Sequence, residues 1–271
     1  METGSCPICD KPAESTFERD AIAYFDCSAC GFRFSRQPTN PNLSQRLDEF
    51  ESAYLRYLDD DPADEQNFSR LVRTLSVSPH GTWLDVGCGG GKLVRYLRQR
   101  GFDAEGIEPS EALYARFLTD EPFFHRDIAA VSGRRFDVVS ALDVIEHVDD
   151  PVAFLASLRD SVQPTGTIVI STPDVAGTAA RVLGKRWHHY NRYHSSFFSA
   201  ATLDRAARRA GLRLGSLSHP GRRRSLGYTV RYVFEFGLGS NAPRIARRLD
   251  RIHVPINLGD VLLATLSSRW Q

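Results

Sequence analysis

Three groups of residues in this chain have the types and spacing to do chemistry. The first is Cys6-Pro-Ile-Cys9 with Cys27-Ser-Ala-Cys30-Gly31, two C-x-x-C turns separated by seventeen residues. Each turn points two sulfurs at one place, so the pair offers four thiolates to a tetrahedral zinc, with no position left open for catalysis. The second is Asp85-Val86-Gly87-Cys88-Gly89-Gly90-Gly91, an acid at the end of an apolar run followed by a glycine turn. The third is Trp187-His188-His189-Tyr190-Asn191-Arg192-Tyr193-His194, three imidazoles among three other aromatic rings in eight residues. Histidine near its ordinary pKa suits proton removal from a hydroxyl or an amine.

The glycine turn does not fit a phosphate loop. G-x-x-x-x-G-K-[ST] fails because Val86 stands five residues before Gly91 and Leu93 follows Lys92. The dinucleotide fingerprint G-x-G-x-x-G fails because Lys92 takes the place of the third glycine. What remains is Asp85 with Gly87, Gly89 and Gly91, a turn that lets backbone approach a ligand closely while an acid faces the same place. It disfavours pyrophosphate and favours cationic or neutral polar groups. Two further acids fall where the next strands end. Glu108, in Gly-Ile-Glu-Pro, is placed to accept both hydroxyls of a ribose. Asp127, in FFHRDIA, suits an adenine amino group, with Ile128 packing the ring and Leu142 at the end of the following apolar run. Cys88, inside the turn, is read as a packing residue.

Candidate bases lie beyond the strand ends. Asp143, Glu146 and His147 follow the fourth strand in ALDVIEHVDDP and face the same cleft. His147 is read either as a base or as a loop anchor, and Glu146 as a cap and anchor. His188 and His189 are adjacent and so point different ways. His194 is a base or a brace for the helix that Ser199 caps. No i, i+4 histidine pair on a clear helix supports a metal site in this group.

The elements that must position these residues alternate in type. TWLDVGC, AEGIEP, FDVVSALDV, GTIVISTP, LRLGSLS and VLLATLSS read as strands. The segments 92–101, 110–119, 151–162 and 202–212 read as helices, two of them ended by Gly101 and Gly211. Such alternation implies an α/β fold with a parallel sheet covered by helices on both faces. The expected organisation is a zinc ribbon over 1–38, with AIAYFDC as a strand inside it. A helical linker over 39–80 follows, in two helices after the hinge QPTNPN. The main domain spans 81–271, interrupted by cap insertions at 174–200 and 220–258. A ribbon of about 35 residues is too small to fold on its own core, so metal binding supplies its folding energy. The 220–258 insertion holds PGRRRS, an apolar aromatic run, and the basic APRIARRLDRIHV, and is read as a helical cap. Arg222, Arg223 and Arg224 are read either as a site for a phosphate, a carboxylate or an acidic lipid surface, or as a solvated basic loop.

Composition sets outer bounds. With 271 residues, 42% hydrophobic and 25% charged, the chain is ordinary for a globular protein, and its formal charge of +1 gives no global attraction to nucleic acid. No stretch approaches the ~20 apolar residues of a membrane span. METGSCPICDKPAE does not read as a secretory signal, so a cytoplasmic location with reduced cysteines is expected.

Together these residues resemble the class I S-adenosylmethionine-dependent methyltransferases, of the small-molecule type. The resemblance rests on Leu84 to Gly91, on Glu108, on Asp127, on FDVVSALDVIEHVDDP, and on the H-x-x-x-F-S spacing that begins at His194. It implies a doubly wound, Rossmann-like sheet of seven strands whose last strand is antiparallel, and S-adenosylmethionine as methyl donor. It implies that Asp85, Gly87, Gly89, Gly91, Glu108, Asp127, Ile128 and Leu142 hold that donor, with zinc held separately by Cys6, Cys9, Cys27 and Cys30. The expected reaction is methylation, of oxygen first, on a small or medium acceptor: a natural product, sugar, glycan or lipid. The segment 220–258 could meet a membrane surface. The alternative is an RNA or protein methyltransferase that docks its substrate on the ribbon. Against RNA, Lys11, Arg19, Arg33 and Arg36 are outnumbered by Asp10, Glu14, Glu18, Asp20 and Asp26. No N-P-P-Y or D-P-P-Y follows the fourth strand. A third reading, an interaction protein that only keeps the fold, is disfavoured by the intact donor set.

Overall fold

The computed structural model describes residues 3–36, 63–75, 80–232, 234 and 243–268. The hinge and the first expected linker helix lie outside the described residues.

The chain begins with four short strands, β1 (Thr3–Ser5), β2 (Pro12–Arg19), β3 (Ile22–Asp26) and β4 (Arg33–Arg36). They pair antiparallel in sequence order. The two C-x-x-C turns fall between β1 and β2 and between β3 and β4. In each, the residue after the second cysteine takes a left-handed backbone, Asp10 at φ 60° and Gly31 at φ 74°. Each also donates its N–H to the carbonyl of the first cysteine, at 3.0 and 2.7 Å. Glycine and aspartate are among the residues that accept this conformation at small cost.

Helix α1 (Asp64–Leu75) leads to the strand–helix alternation: β5 (Thr82–Val86), α2 (Lys92–Arg98), β6 (Asp103–Ile107), α3 (Glu111–Phe117), β7 (Phe124–His125), β8 (Phe136–Leu142), α4 (Pro151–Ser161) and β9 (Val162–Pro173). The 174–200 segment holds α5 (Thr178–Leu183) and the two-residue strand β10 (Ser196–Phe197). Then come α6 (Ala200–Arg209), β11 (Arg213–Ser218), β12 (Arg222–Ser225), α7 (Leu226–Tyr232), β13 (His253–Ile256) and β14 (Val261–Ser267). The segment 220–258 therefore carries helix, and in addition the antiparallel ribbon β12–β13.

The large sheet has seven strands in the order β11-β14-β9-β8-β5-β6-β7. β14 alone runs against its neighbours β9 and β11, as the sequence resemblance implied. Consecutive crossovers run outward in opposite directions from β5, which pairs with both β6 and β8. This reversal opens a crevice at the carboxyl end of β5, where ligands of doubly wound sheets bind.

Strand alternation divides the core. Leu84 and Val86 face the side covered by α4 and α6, with Leu155, Leu158, Leu203 and Ala206. Trp83 and Val138 face the other side, with Leu93, Leu97 and Leu71 of α1. The helix starts are locally encoded. Ser110 accepts from Leu113 N, Asp150 accepts from Ala153 N ahead of Pro151, and Ser199 forms a reciprocal cap with Thr202. Each such cap contributes about 1 kcal/mol.

One feature was not expected from sequence. β10 pairs antiparallel with β4, with Ser196 opposite Phe34 and Phe197 opposite Arg33. The cysteine ribbon is thus a five-stranded sheet whose last strand comes from the 174–200 segment. A two-residue strand is too short to announce itself by alternation. The ribbon's apolar residues Ile8, Phe25, Phe32 and Phe34 continue through Phe198 into the core under α6.

Candidate functional site

The crevice is built from the tips of β5, β6 and β8. Asp85 is buried in β5, with Oδ1 accepting from Ser140 Oγ at 2.6 Å. Trp83 Nε1 donates to the same hydroxyl at 2.8 Å. Burial raises the Asp85 carboxyl, the nearby Glu108 charge adds to this, and the Ser140 bond opposes it. The result is a pKa pushed up to about 7. Ser140 escaped the sequence reading. Its signal was a lone hydroxyl inside the apolar run FDVVSAL, a run typical of a buried parallel strand.

The glycine turn follows at left-handed φ: Gly87 at 74°, Gly89 at 55° and Gly91 at 74°. Two of the three are also sterically required. A Cβ on Gly87 would stand 2.6 Å from Val144 Cγ2, and one on Gly91 would stand 2.5 Å from Phe124 Cζ. Cys88 Sγ packs over Gly106, where a Cβ would come within 2.7 Å of it. Lys92, the residue that mimics a phosphate loop, pairs instead with Asp64 of α1 at 3.1 Å.

Glu108 sits at the tip of β6, buried, and spans the crevice floor. Its Oε2 accepts from Gly89 N and its Oε1 from Ser110 N, both at 2.8 Å. Burial raises its pKa while these two N–H groups oppose the rise. It therefore ties the glycine turn to the start of α3. Asp127 is exposed, and its Oδ1 caps the single turn Ile128–Val131 by accepting from Ala129 N at 2.9 Å. Ile128 and Leu142 are half-buried.

Beside Gly87 runs the loop after β8. Asp143 holds a left-handed backbone, φ 57°, unusual outside glycine. Its carboxylate accepts from Ser171 Oγ at 2.7 Å and from Arg222 Nη2 of β12. Burial pushes this carboxyl up, but the Arg222 charge and the bonds from Arg222 and Ser171 outweigh it and hold it below its ordinary value. Glu146 is fully buried and accepts from Thr172 Oγ1 at 2.9 Å. Burial and the Asp143 charge push it up to about 8. His147 Nδ1 lies 2.8 Å from the Tyr193 carbonyl. A carbonyl only accepts, so Nδ1 carries the proton and Nε2 is the lone-pair nitrogen of the neutral ring.

The histidines of the 174–200 segment gather on this loop. His194 meets His147 edge to face with ring centres 4.8 Å apart, and His189 stacks on His194 at 5.4 Å. His188 lies against His189 at 4.1 Å. Burial, then the neighbouring imidazoles, push His189 down to about 3 and His194 well below its usual value, so both are neutral in the physiological range. His194 Nδ1 is buried without a hydrogen-bond partner among the described residues. Two sets of possible ligand atoms converge here, Glu146 with His147 and His194, and His188 with His189 and Asp260. Sequence spacing did not forecast either set, because each joins residues far apart in the chain.

The four ribbon cysteines converge separately. Cys6 Sγ and Cys30 Sγ are 3.6 Å apart, Cys9 Sγ and Cys27 Sγ 3.5 Å, and all four sulfurs lie within 4.8 Å of one another. Four thiolates around zinc at its usual 2.3 Å bond length are separated by roughly 3.8 Å. The set fits a tetrahedral ion, and none of the four cysteines is in a disulfide.

A family model described as "Methyltransferase domain" matches residues 53–217, more than half of the chain. A ubiquinone biosynthesis O-methyltransferase of Xanthomonas campestris is 30% identical over 221 residues, 70% of this chain and 91% of that protein. A protein of the same name in Azorhizobium caulinodans is 32% identical over 155 residues, covering 50% of this chain and 60% of its own length. A tRNA U34 carboxymethyltransferase of Dichelobacter nodosus is 36% identical over 141 residues, covering 48% of this chain and 45% of that protein. Among solved structures, a chain of the Haloferax volcanii complex between the Trm112 methyltransferase activator and a methyltransferase superposes with a TM-score of 0.58. It has 18% identity and covers 86% of this chain and 100% of that one, a likeness of fold.

Proposed function

Because this chain belongs to the S-adenosylmethionine-dependent methyltransferase family, we propose that it transfers the donor's methyl group to an oxygen of a small or medium acceptor. The observation that carries this reading is the pair of buried acids, Asp85 and Glu108, at the tips of adjacent strands on either side of the left-handed glycine turn. In it, Asp85 faces the cationic amino-acid end of the donor. Glu108 keeps lone pairs for the ribose hydroxyls beyond the two it gives to backbone. Asp127 reaches the adenine amino group, with Ile128 and Leu142 flanking the ring. Gly87, Gly89 and Gly91 keep side chains out of the donor's path.

When bound, the donor supplies a methyl on a sulfonium, an electrophile that is already activated. The protein's share is then to align the acceptor and take its proton. His147 is the favoured base. Its Nδ1 proton is held by the Tyr193 carbonyl, its Nε2 carries the lone pair, and its loop abuts the glycine turn. His188, His189 and His194 line the same side, and their low pKa values keep that wall uncharged. Cys6, Cys9, Cys27 and Cys30 hold a structural zinc. Ile245, Ile252 and Leu258 are exposed apolar residues near the exposed Arg247, Arg248 and Arg251, which supports contact with a lipid surface or a lipid-borne acceptor. The relatives named for ubiquinone biosynthesis support an oxygen of a small molecule.

A second reading, methylation of RNA or protein with the ribbon as dock, draws on the relative named for tRNA. The ribbon's acids outnumber its bases, and Arg33 is already paired with Asp26 at 2.6 Å, so we place it second. The two readings separate in one assay. The purified chain is incubated with methyl-labelled donor and, in parallel, hydroxylated small molecules, quinol lipids, sugar nucleotides, RNA and protein. Label in a small hydroxylated compound is the expected result. Label in RNA or protein alone would overturn it.

A further inference from the structure

The ribbon and the histidine pocket are not two structures side by side. Ser35 of β4 donates its N–H to the Ser195 carbonyl at 2.9 Å and its hydroxyl to the His194 carbonyl at 2.8 Å. Arg33, also on β4, grips Asp26 with two bonds, at 2.6 and 2.7 Å, and donates a third to the hydroxyl of Tyr190. Arg19 of β2 donates to the Trp187 carbonyl at 3.0 Å. Tyr24 of β3 packs against Tyr190 and Phe197 with ring centres 5.1 and 5.6 Å apart, and Trp187 is fully buried in the same cluster. Trp187, Tyr190 and each residue from His194 to Phe197 thus have a partner in the ribbon.

The same segment then reaches the catalytic loop. Ser195 donates its N–H to the Glu146 carbonyl at 2.9 Å and its hydroxyl to the Val148 carbonyl at 3.1 Å. Tyr193 accepts from His147. His147 and His194 are therefore held from behind by a short chain of bonds that starts at β4. β4 in turn starts three residues after Cys30, and Cys27 N donates to the Phe32 carbonyl at 2.9 Å. The four cysteines sit in the turns that lead into β2 and β4, so an ion held by them would tie these two turns together.

We propose that the cysteine ribbon is the rear wall of the histidine pocket, with Arg33 and Ser35 as positioning residues that transmit metal-dependent order to His147 and His194. This deepens the reading given above and rests on it only for the pocket's role, since the coupling itself is a property of the fold. Closing the four thiolates on zinc sets β4, β4 sets residues 190–197, and these set the two rings. Of the donor crevice, only the loop after β8 belongs to that chain of bonds; Asp85 on β5 and Glu108 after β6 take no part in it.

The test is hydrogen exchange by mass spectrometry on the full zinc-loaded chain, with nitrogen NMR of its imidazoles. Ser35→Ala removes one bond and is expected to speed exchange in peptides spanning 187–198 about five-fold. Ser35→Thr, which keeps the hydroxyl, restores it. Removing zinc with a chelator is expected to speed the same peptides by at least ~100-fold and to shift the His147 and His194 signals, assigned from His147→Asn and His194→Asn. Peptides over 82–86 and 136–142 stay protected, and S-adenosylhomocysteine titrates with an affinity changed by less than about two-fold. Should chelation loosen the whole chain, the Ser35 series and Arg33→Gln decide by themselves. Opening of residues 3–36 with 187–198 and both imidazole signals unmoved would overturn the proposal. If exchange couples as expected but histidine substitutions leave methyl transfer intact, the pocket's catalytic reading fails and the coupling stands.

Discussion

Ser140 donates a 2.6 Å hydrogen bond to Asp85 across two adjacent parallel strands, in the buried floor of the donor crevice. This bond and the surrounding burial leave the carboxyl poised, with a pKa near 7. The folded value is raised above the ordinary 3.8, so the contribution of protonated Asp85 to the free protein's stability is full below about pH 3.8 and is lost as pH rises from there to about 7. A cationic ligand reverses the preference, because it needs the ionised acid. S-adenosylmethionine affinity is therefore expected to fall as pH drops below 7, by up to about ten-fold per pH unit. Calorimetric titration between pH 5.5 and 8.5, values chosen to bracket about 7, should show this slope in the wild type. Asp85→Asn should bind weakly and without it.

Gly91 combines a left-handed backbone with a site where any Cβ meets Phe124 and Leu118 at 2.5 and 2.9 Å. Gly91→Ala should destabilise the fold by about 2–4 kcal/mol, from the backbone term plus overpacking. Urea unfolding measures it. A loss below about 0.5 kcal/mol would mean the turn relaxes freely.

His147 can be tested for chemistry apart from anchorage. Asparagine can still donate to the Tyr193 carbonyl but has no basic nitrogen. His147→Asn should keep donor affinity and lower kcat by about 10²–10⁴. If the asparagine variant turns over normally and only His147→Ala fails, the residue is an anchor.

The thiolate set predicts a single zinc ion per purified chain, measured by elemental mass spectrometry. Cys27→Ser should lower the zinc content and open the ribbon to proteolysis at residues 3–36. A zinc-free wild-type chain with a folded ribbon would contradict this.

Much of the fold was legible because buried parallel strands read as apolar runs and their helices end in Gly101 and Gly211. The places of Asp85 and Glu108 were legible for the same reason, since the last residues of those runs must lie at the crevice. What stayed hidden is non-local. Arg222 meets Asp143 across 79 residues and Ser35 meets His194 across 159. Neither contact leaves a local pattern. The basic run 222–224 reads more readily as a solvated loop, whereas Arg222 pairs with Asp143 and Arg223 hydrogen-bonds through its backbone to Asn67 of α1. Asp127 shows the opposite limit. Its position was legible, yet the exposed carboxylate spends one oxygen on capping a local turn.

Glu108 joins the glycine turn to the start of α3 through its two oxygens. Equilibrium titration of the wild-type chain with S-adenosylhomocysteine should give saturable single-site binding, with a dissociation constant on the order of 1 μM–1 mM. Glu108→Ala, folded by circular dichroism, should lose at least about ten-fold in affinity. Absence of binding by the wild type at millimolar ligand, or undiminished affinity in Glu108→Ala, would contradict the assignment of this crevice.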